Sequence, residues 1–156
     1  MSEHNKEQIS EDFRDIICVD FDATLATYEG WHVHGREPGP PIPGAIEAIN
    51  KLAEKYRIWI YSARAWGGTM DGKVYEDQKS LIKEWCDKHG VKYEGITGSK
   101  IPAKLYICDR SIRFNGDWDA TMKEVEEYEE WYLKDGSRHT KEKAEVMQEV
   151  PTLPST

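Results

Sequence analysis

Two aspartates, two positions apart, follow an apolar run near the start of the chain. Residues 16–19 are apolar, and Asp20 and Asp22 come directly after them. This pattern is typical of a buried strand whose carboxyl end opens into a functional site. Hard divalent cations prefer carboxylate oxygens, so the pair predicts a Mg²⁺ site. A simpler interpretation is that Asp22 and Thr24 only form a turn.

Further polar side chains lie at or before the ends of other predicted strands. Ser62 follows residues 57–61, Asp109 follows residues 105–108, and Lys100 lies in the loop before that last strand. Because the carboxyl ends of parallel strands meet at one edge of a sheet, we expect these groups to converge. Carboxylates, a hydroxyl and an ammonium group together suit phosphoryl transfer. One aspartate attacks phosphorus, and the others hold magnesium or neutralise phosphate oxygens.

The elements that must position these residues alternate between strands and helices. Alternation of this kind predicts an α/β protein with parallel strands and right-handed crossovers. The last helix is expected to turn four apolar side chains inward, namely Met122, Val125, Tyr128 and Tyr132. The strands are predicted at 15–20, 57–61, 91–96 and 105–108, and the helices at 44–56, 73–89 and 119–133.

The predicted domain organisation is simple. Residues 1–14 are expected to be a loose N-terminal segment, residues 15–134 a catalytic domain, and residues 135–156 a flexible tail. The three cysteines show no paired spacing of the kind found at zinc sites, so they are expected to be reduced.

The ordered set of motifs resembles a known family. The segment 20–24 (Asp-Phe-Asp-Ala-Thr), Ser62, Lys100 and Asp109 is similar to the four motifs of the haloacid dehalogenase (HAD) superfamily in its phosphatase branch. Residues 100–110 resemble the lysine-to-acid segment of small HAD-type hydrolases, some of them phage-like. The resemblance implies a three-layer, Rossmann-like (HAD-like) α/β fold with a mostly parallel central sheet. The gaps 25–44 and 62–100 are short, so no cap domain is expected.

The resemblance also implies a role for each motif residue. Asp20 would be the nucleophile that forms an aspartyl-phosphate, and Asp22 would protonate the leaving alcohol and later activate water. Ser62 would donate a hydrogen bond to a phosphoryl oxygen, and Lys100 would offset negative charge. Mg²⁺ would be bound by the Asp20 and Asp109 carboxylates and by the backbone carbonyl of Asp22. Further substrate contacts are expected from Thr24, Trp31, Ala63, Arg64 and Arg110.

The sequence departs from the family pattern at two positions. Cys108 stands where the family usually has a second acid before Asp109, and a thiol is a poor magnesium ligand. Asp117 or Asp119 is a candidate for a replacement acid further from the ion. Ala23 occupies a position where the family most often has glycine, with little consequence expected.

The predicted function is magnesium-dependent hydrolysis of a phosphomonoester such as a nucleotide or a sugar phosphate. Within this class, a nucleic-acid 3′-end phosphatase is a second candidate. A receiver-like signalling domain that accepts a phosphoryl group and a catalytically silent interaction module are candidates from different classes. Taken one at a time, Ser62 is also consistent with a cap, Lys100 with a surface lysine, and Asp109 with a turn residue.

Charge limits the expected partners. The net charge is −8, and residues 119–131 carry six acids against one base, which disfavours nucleic acid and anionic lipid. We therefore expect a small phosphorylated substrate. No apolar run approaches the ~20 residues that span a bilayer, and residues 1–7 lack the basic start and apolar centre of a secretory signal, so we expect no membrane association and a cytoplasmic location. In the family that the sequence resembles, an open site without a cap domain goes with large substrates or with oligomers whose neighbouring subunits cover the site, so a homo-oligomer is a candidate.

Overall fold

The computed structural model describes residues 13–28 and 37–133. The chain divides into two compact units, whose described residues are 13–28 and 37–108 in the first and 109–133 in the second. Trp31, most of the predicted N-terminal segment and the predicted tail lie outside the described residues.

A parallel β-sheet forms the centre of the first unit. Its strands are β1 (Ile16–Asp20), β2 (Arg57–Tyr61), β5 (Gly95–Thr97) and β6 (Leu105–Ile107). They have the order β5-β2-β1-β6, and each neighbouring pair is parallel. The central strand β1 is buried over its first four residues, as expected for an apolar strand covered on both faces. The predicted α/β class with a mostly parallel sheet is confirmed.

Strand register brings the carboxyl ends of the sheet together. Asp20 pairs with Tyr61 across β1 and β2, and Val19 pairs with Ile107 across β1 and β6. Residues that immediately follow these strands therefore emerge at the same edge of the sheet. This places Asp22, Ser62 and Cys108 near the end of β1.

Two helices of the first unit contribute apolar side chains to its core. They are α1 (Ala45–Leu52) and α2 (Lys79–His89). Ile49 from α1 and Ile82, Trp85 and Cys86 from α2 join the strand residues in one buried cluster. Spacings of three and four residues between these positions are those of an amphipathic helix. Burial of α2 is important for the site, because its first turn lies next to Arg64.

The predicted start of the second helix at residue 73 is wrong. Residues 68–75 form an antiparallel hairpin, with strands β3 (Gly68–Met70) and β4 (Lys73–Tyr75). Asp71 and Gly72 have φ angles of 53° and 72°, which is the pattern of a tight hairpin turn. Val74, which lies within the predicted helix range, is 78% exposed on the hairpin. The segment between Ser62 and Lys100 thus holds a hairpin in addition to the predicted helix and strand.

The helix of the second unit differs from its prediction. It is α3 (Trp118–Glu127), and it ends before Leu133. Met122 and Val125 are 56% and 54% exposed, so their predicted inward orientation is wrong, and Tyr128 is also exposed. Tyr132 is buried as predicted, in the short 3₁₀ helix Trp131–Leu133. Helical spacing identifies an apolar face but not whether another element covers it.

Two further observations concern the described residues. Every helix among them is too short or too polar to cross a lipid bilayer. Cys18, Cys86 and Cys108 are free thiols, and the first two are buried.

Candidate active site

A tight loop holds Asp20 and Asp22 at the end of β1. The backbone N–H groups of Leu25 and Ala26 both donate to the carbonyl oxygen of Phe21, each at 2.9 Å. The side chains of Phe21 and Leu25 are almost fully buried, whereas those of Asp20 and Asp22 are half-buried. Alternate residues therefore anchor the loop in the core and present carboxylates at its surface.

The backbone conformation of Ala23 explains why glycine would also fit at this position of the loop. Its φ angle is +60°, in the left-handed region that residues with a Cβ adopt at a cost of about 1 kcal/mol. The Ala23 N–H donates to the carbonyl oxygen of Ala26 at 2.8 Å, which helps to hold this conformation. The small, buried methyl group is accommodated.

Ser62 lies at the end of β2 and is 1% exposed. Its N–H donates to the carbonyl oxygen of Thr97 at 3.0 Å. Its hydroxyl oxygen accepts from the Arg64 N–H at 3.1 Å and caps the 3₁₀ helix Ala63–Ala65. The interpretation of Ser62 as a cap is thus confirmed. It is compatible with a catalytic role, since accepting a hydrogen bond leaves the hydroxyl proton available for donation.

Arg64 forms a buried ion pair with Asp22. Its Nε lies 2.7 Å from Oδ2 and 3.0 Å from Oδ1 of Asp22, and the two side chains are 4% and 13% exposed. Arg64 also donates from Nη1 to Oε1 of Gln78 at 3.1 Å. The sequence assigned Arg64 to substrate binding and gave no sign of either partner. Its motif position alone does not distinguish an arginine that binds phosphate from one that pairs with Asp22.

Tyr106, which the sequence did not single out, positions the loop that carries Lys100. The Ile101 N–H donates to the Tyr106 hydroxyl oxygen at 2.8 Å, and this hydroxyl donates to the Ile101 carbonyl. The exposed Lys100 side chain places its Nζ 5.7 Å from the centre of the Tyr106 ring. Burial is the main reason that the pKa of Tyr106 is raised to about 12.

Gly98 brings the Lys100 loop against the turn that follows Ser62. A Cβ at residue 98 would lie 2.5 Å from the backbone C and O atoms of Ala65 and 2.6 Å from the N atom of Trp66. Backbone atoms at that distance have to move. Glycine therefore allows the loops after β2 and β5 to pack in direct contact.

We expect Gly98→Ala to lower the free energy of unfolding by about 2 kcal/mol, because the added methyl group forces these two loops apart. Urea unfolding followed by tryptophan fluorescence measures the change. Gly67→Ala is the matched control, since a Cβ there would meet Asp77 at an ordinary 3.4 Å. Equal unfolding free energies for the two variants would contradict the tight packing at Gly98.

Cys108 and Asp20 lie close enough together to contact one metal ion. The Cys108 Sγ is 3.8 Å from Oδ2 of Asp20, and Asp109 is the next residue in the chain. The donor set suits magnesium in part. Carboxylate oxygens are hard ligands that Mg²⁺ prefers, whereas a thiol favours softer ions. Within the first unit, Asp20 therefore offers Mg²⁺ a suitable carboxylate, whereas Asp109 and the Asp22 carbonyl remain ligands that only the resemblance implies.

Asp109 and Arg110 begin the second unit. The Asp109 side chain is 5% exposed, and its backbone carbonyl accepts from the Tyr128 hydroxyl at 3.0 Å. Arg110 donates to the Tyr132 hydroxyl oxygen at 3.2 Å and lies 3.4 Å from Glu130. Its side chain is 57% exposed, so the guanidinium remains accessible despite these contacts.

The other predicted site residues lie in the loop after β1, in the 3₁₀ helix after β2 and at the start of α3. Thr24 is half-buried in the loop after Asp22, and Ala63 is exposed at the start of its 3₁₀ helix. The candidate replacement acid Asp117 caps α3, because its Oδ1 accepts from the Ala120 N–H at 3.0 Å. Asp119 lies in the first turn of α3 and is exposed.

Comparisons with known proteins found no matching family model, no matching curated protein and no matching solved structure.

Proposed function

We propose that the protein is a magnesium-dependent phosphomonoester hydrolase that acts through an aspartyl-phosphate on a small substrate such as a nucleotide or a sugar phosphate. The observation that carries the proposal is the pair at the end of β1. Asp20 is half-buried beside Cys108, and Asp22, two residues later, is held by a buried arginine. A nucleophile next to an oriented proton carrier is the arrangement that covalent phosphoryl transfer needs.

The first step forms the covalent intermediate. A carboxylate oxygen of Asp20 attacks phosphorus, and the bond between phosphorus and the alcohol oxygen of the substrate breaks. Asp22 is a carboxylate in its ion pair with Arg64, so it first takes up a proton from solvent; it then transfers this proton to the departing oxygen, which leaves as a neutral alcohol. Ser62 donates a hydrogen bond to a phosphoryl oxygen, and Lys100 offsets negative charge as the phosphoryl group moves.

The second step regenerates the protein. Asp22, now a carboxylate, removes a proton from water, and the water oxygen attacks the phosphorus of the aspartyl-phosphate. The bond between phosphorus and Asp20 breaks, which releases inorganic phosphate and restores the Asp20 carboxylate. Mg²⁺, held by Asp20, Asp109 and the Asp22 carbonyl, would neutralise charge on the phosphate oxygens.

The finer structural and cellular assignments belong to the same proposal. They are a HAD-type three-layer fold without a cap domain, a cytoplasmic location, a small phosphorylated substrate instead of nucleic acid, and a homo-oligomer that shelters the site. The order and spacing of the four motifs support the fold without a cap domain, and the acidic charge supports a small substrate instead of nucleic acid. Within the described part of the chain, the hairpin of β3 and β4 is a small insertion compared with a cap domain.

Hydrolysis of p-nitrophenyl phosphate with and without magnesium tests the proposal. We expect turnover that requires magnesium, followed by selectivity within a panel of nucleotides and sugar phosphates. Stable phosphorylation by acetyl phosphate without turnover would instead support a receiver-like domain. No hydrolysis across the panel, with no magnesium-induced rise in melting temperature, would support a silent interaction module, which the replacement of an acid by Cys108 favours.

The same proposal predicts that Cys108→Asp tightens magnesium binding. We expect the dissociation constant measured by calorimetry to fall about tenfold, because a carboxylate replaces a soft thiol beside Asp20. Cys108→Ser is the control, since it removes the sulfur without adding charge. Unchanged affinity in the aspartate variant would show that residue 108 does not lie next to the ion.

A further inference from the structure

Gln78 immediately precedes α2 and links the start of that helix to Arg64. Its N–H donates to the Arg64 carbonyl oxygen at 2.7 Å, and its Oε1 accepts from Arg64 Nη1 at 3.1 Å. The two residues therefore exchange a backbone and a side-chain hydrogen bond. The hairpin segment, residues 65–77, begins and ends between them, so these bonds also close its base.

The core of the first unit fixes the position of Gln78. Its carbonyl oxygen accepts from the N–H groups of Leu81 and Ile82, at 3.1 and 3.4 Å, at the start of α2. Ile82 is 0% exposed, and Trp85 and Cys86 on the same helix are also buried. Close-packed side chains of this kind hold a helix in one position. The backbone of Gln78 is thereby held in place, and its Oε1 is within reach of Arg64, from which it accepts a hydrogen bond.

Arg64 transmits this constraint to Asp22. Its Nε contacts both carboxylate oxygens of Asp22, whereas its Nη1 contacts Gln78. A guanidinium is planar, so hydrogen bonds at two of its nitrogens fix the orientation of the plane. That orientation in turn determines which way the Asp22 carboxyl faces.

We propose that Gln78 is a positioning residue, which acts through Arg64 to orient the Asp22 carboxyl for proton transfer to the departing oxygen. This inference rests on the proposed hydrolase function. Misplacement of a catalytic group by a fraction of an ångström lowers the rate of the step in which that group takes part. Loss of the Gln78 acceptor should therefore matter most when the leaving group needs a proton.

The test compares two substrates of similar size. Phenyl phosphate expels a weakly acidic phenol that requires protonation, and p-nitrophenyl phosphate expels a far more acidic one that does not. For Gln78→Met, which keeps the side-chain length and removes the acceptor, we expect kcat/KM to fall about tenfold with phenyl phosphate and less than about threefold with p-nitrophenyl phosphate. Gln78→Glu keeps an acceptor and should retain the wild-type ratio. Lys83→Met, on the exposed surface of α2, is the control.

A second measurement does not depend on turnover. The Nε–Hε signal of Arg64 in a proton–nitrogen correlation spectrum, identified by its loss in Arg64→Lys, should shift or broaden in Gln78→Met and stay unchanged in Lys83→Met. An unchanged Arg64 signal in Gln78→Met, or an equal loss of kcat/KM with both substrates, overturns the inference. A wild-type protein that hydrolyses neither substrate overturns the proposed function itself, so the two failures are distinguishable.

Discussion

Asp20→Asn is expected to lower kcat for p-nitrophenyl phosphate by more than about 1,000-fold, because an amide oxygen is too weak a nucleophile to form the covalent intermediate. The change is nearly isosteric and preserves the hydrogen bond that the side-chain oxygen accepts from the Phe21 N–H at 2.8 Å. The loop should therefore keep its shape. Steady-state hydrolysis at saturating magnesium measures the effect.

Two controls separate loss of the nucleophile from loss of the fold. Asp87→Asn makes the same carboxylate-to-amide substitution at an exposed position on α2 and should leave kcat unchanged. The melting temperature of Asp20→Asn should be close to that of the wild-type protein or higher, since a half-buried charge is removed. Retention of wild-type turnover in Asp20→Asn would exclude an aspartyl-phosphate at this residue.

Arg64→Met is expected to lower the free energy of unfolding by about 3 kcal/mol. Breaking a buried ion pair from one side leaves the other charge in a poorly solvated place, and the Asp22 side chain is only 13% exposed. Methionine fills much of the same volume, so the loss of packing is limited. Urea unfolding of the variant and the wild-type protein measures the difference.

A double-mutant cycle with Asp22→Asn identifies the cause. We expect the double variant Arg64→Met/Asp22→Asn to regain a large part of the lost stability, because the uncompensated charge is gone. Arg57→Met is the matched control. It breaks an ion pair with Glu94 in which both side chains are more than 40% exposed, so the expected change is below about 1 kcal/mol. Additive effects of the Arg64 and Asp22 changes would show that the two charges are not coupled.

Local sequence patterns were sufficient to predict the strands of the central sheet and the presence of the three helices. The apolar run that ends in Asp20 predicted a buried strand, and the alternation of β-branched and amphipathic segments predicted a parallel sheet. They failed at residues 73–78, where Val74 and Tyr75 fit a helical pattern as well as a strand. There the Asp71-Gly72 turn determines the backbone direction. These patterns also wrongly predicted that the side chains of Met122 and Val125 are buried. The exposure of a helical side chain depends on which other elements pack against the helix, and helical spacing does not reveal this.

The sequence by itself identified the candidate site residues and placed most of them at the ends of predicted strands. Asp20, Asp22, Ser62 and Lys100 were identified from residue type and from their positions relative to the strand ends. Only the tertiary structure determined the contacts that position them. These are the contacts of Arg64 with Asp22 and Gln78, the hydrogen bond between Tyr106 and the loop that carries Lys100, and the close packing of Gly98 against the turn after Ser62. Each of these contacts either joins residues that are distant in the sequence or requires two backbone segments to lie within a few ångströms of each other. Local secondary-structure propensity does not encode such distances.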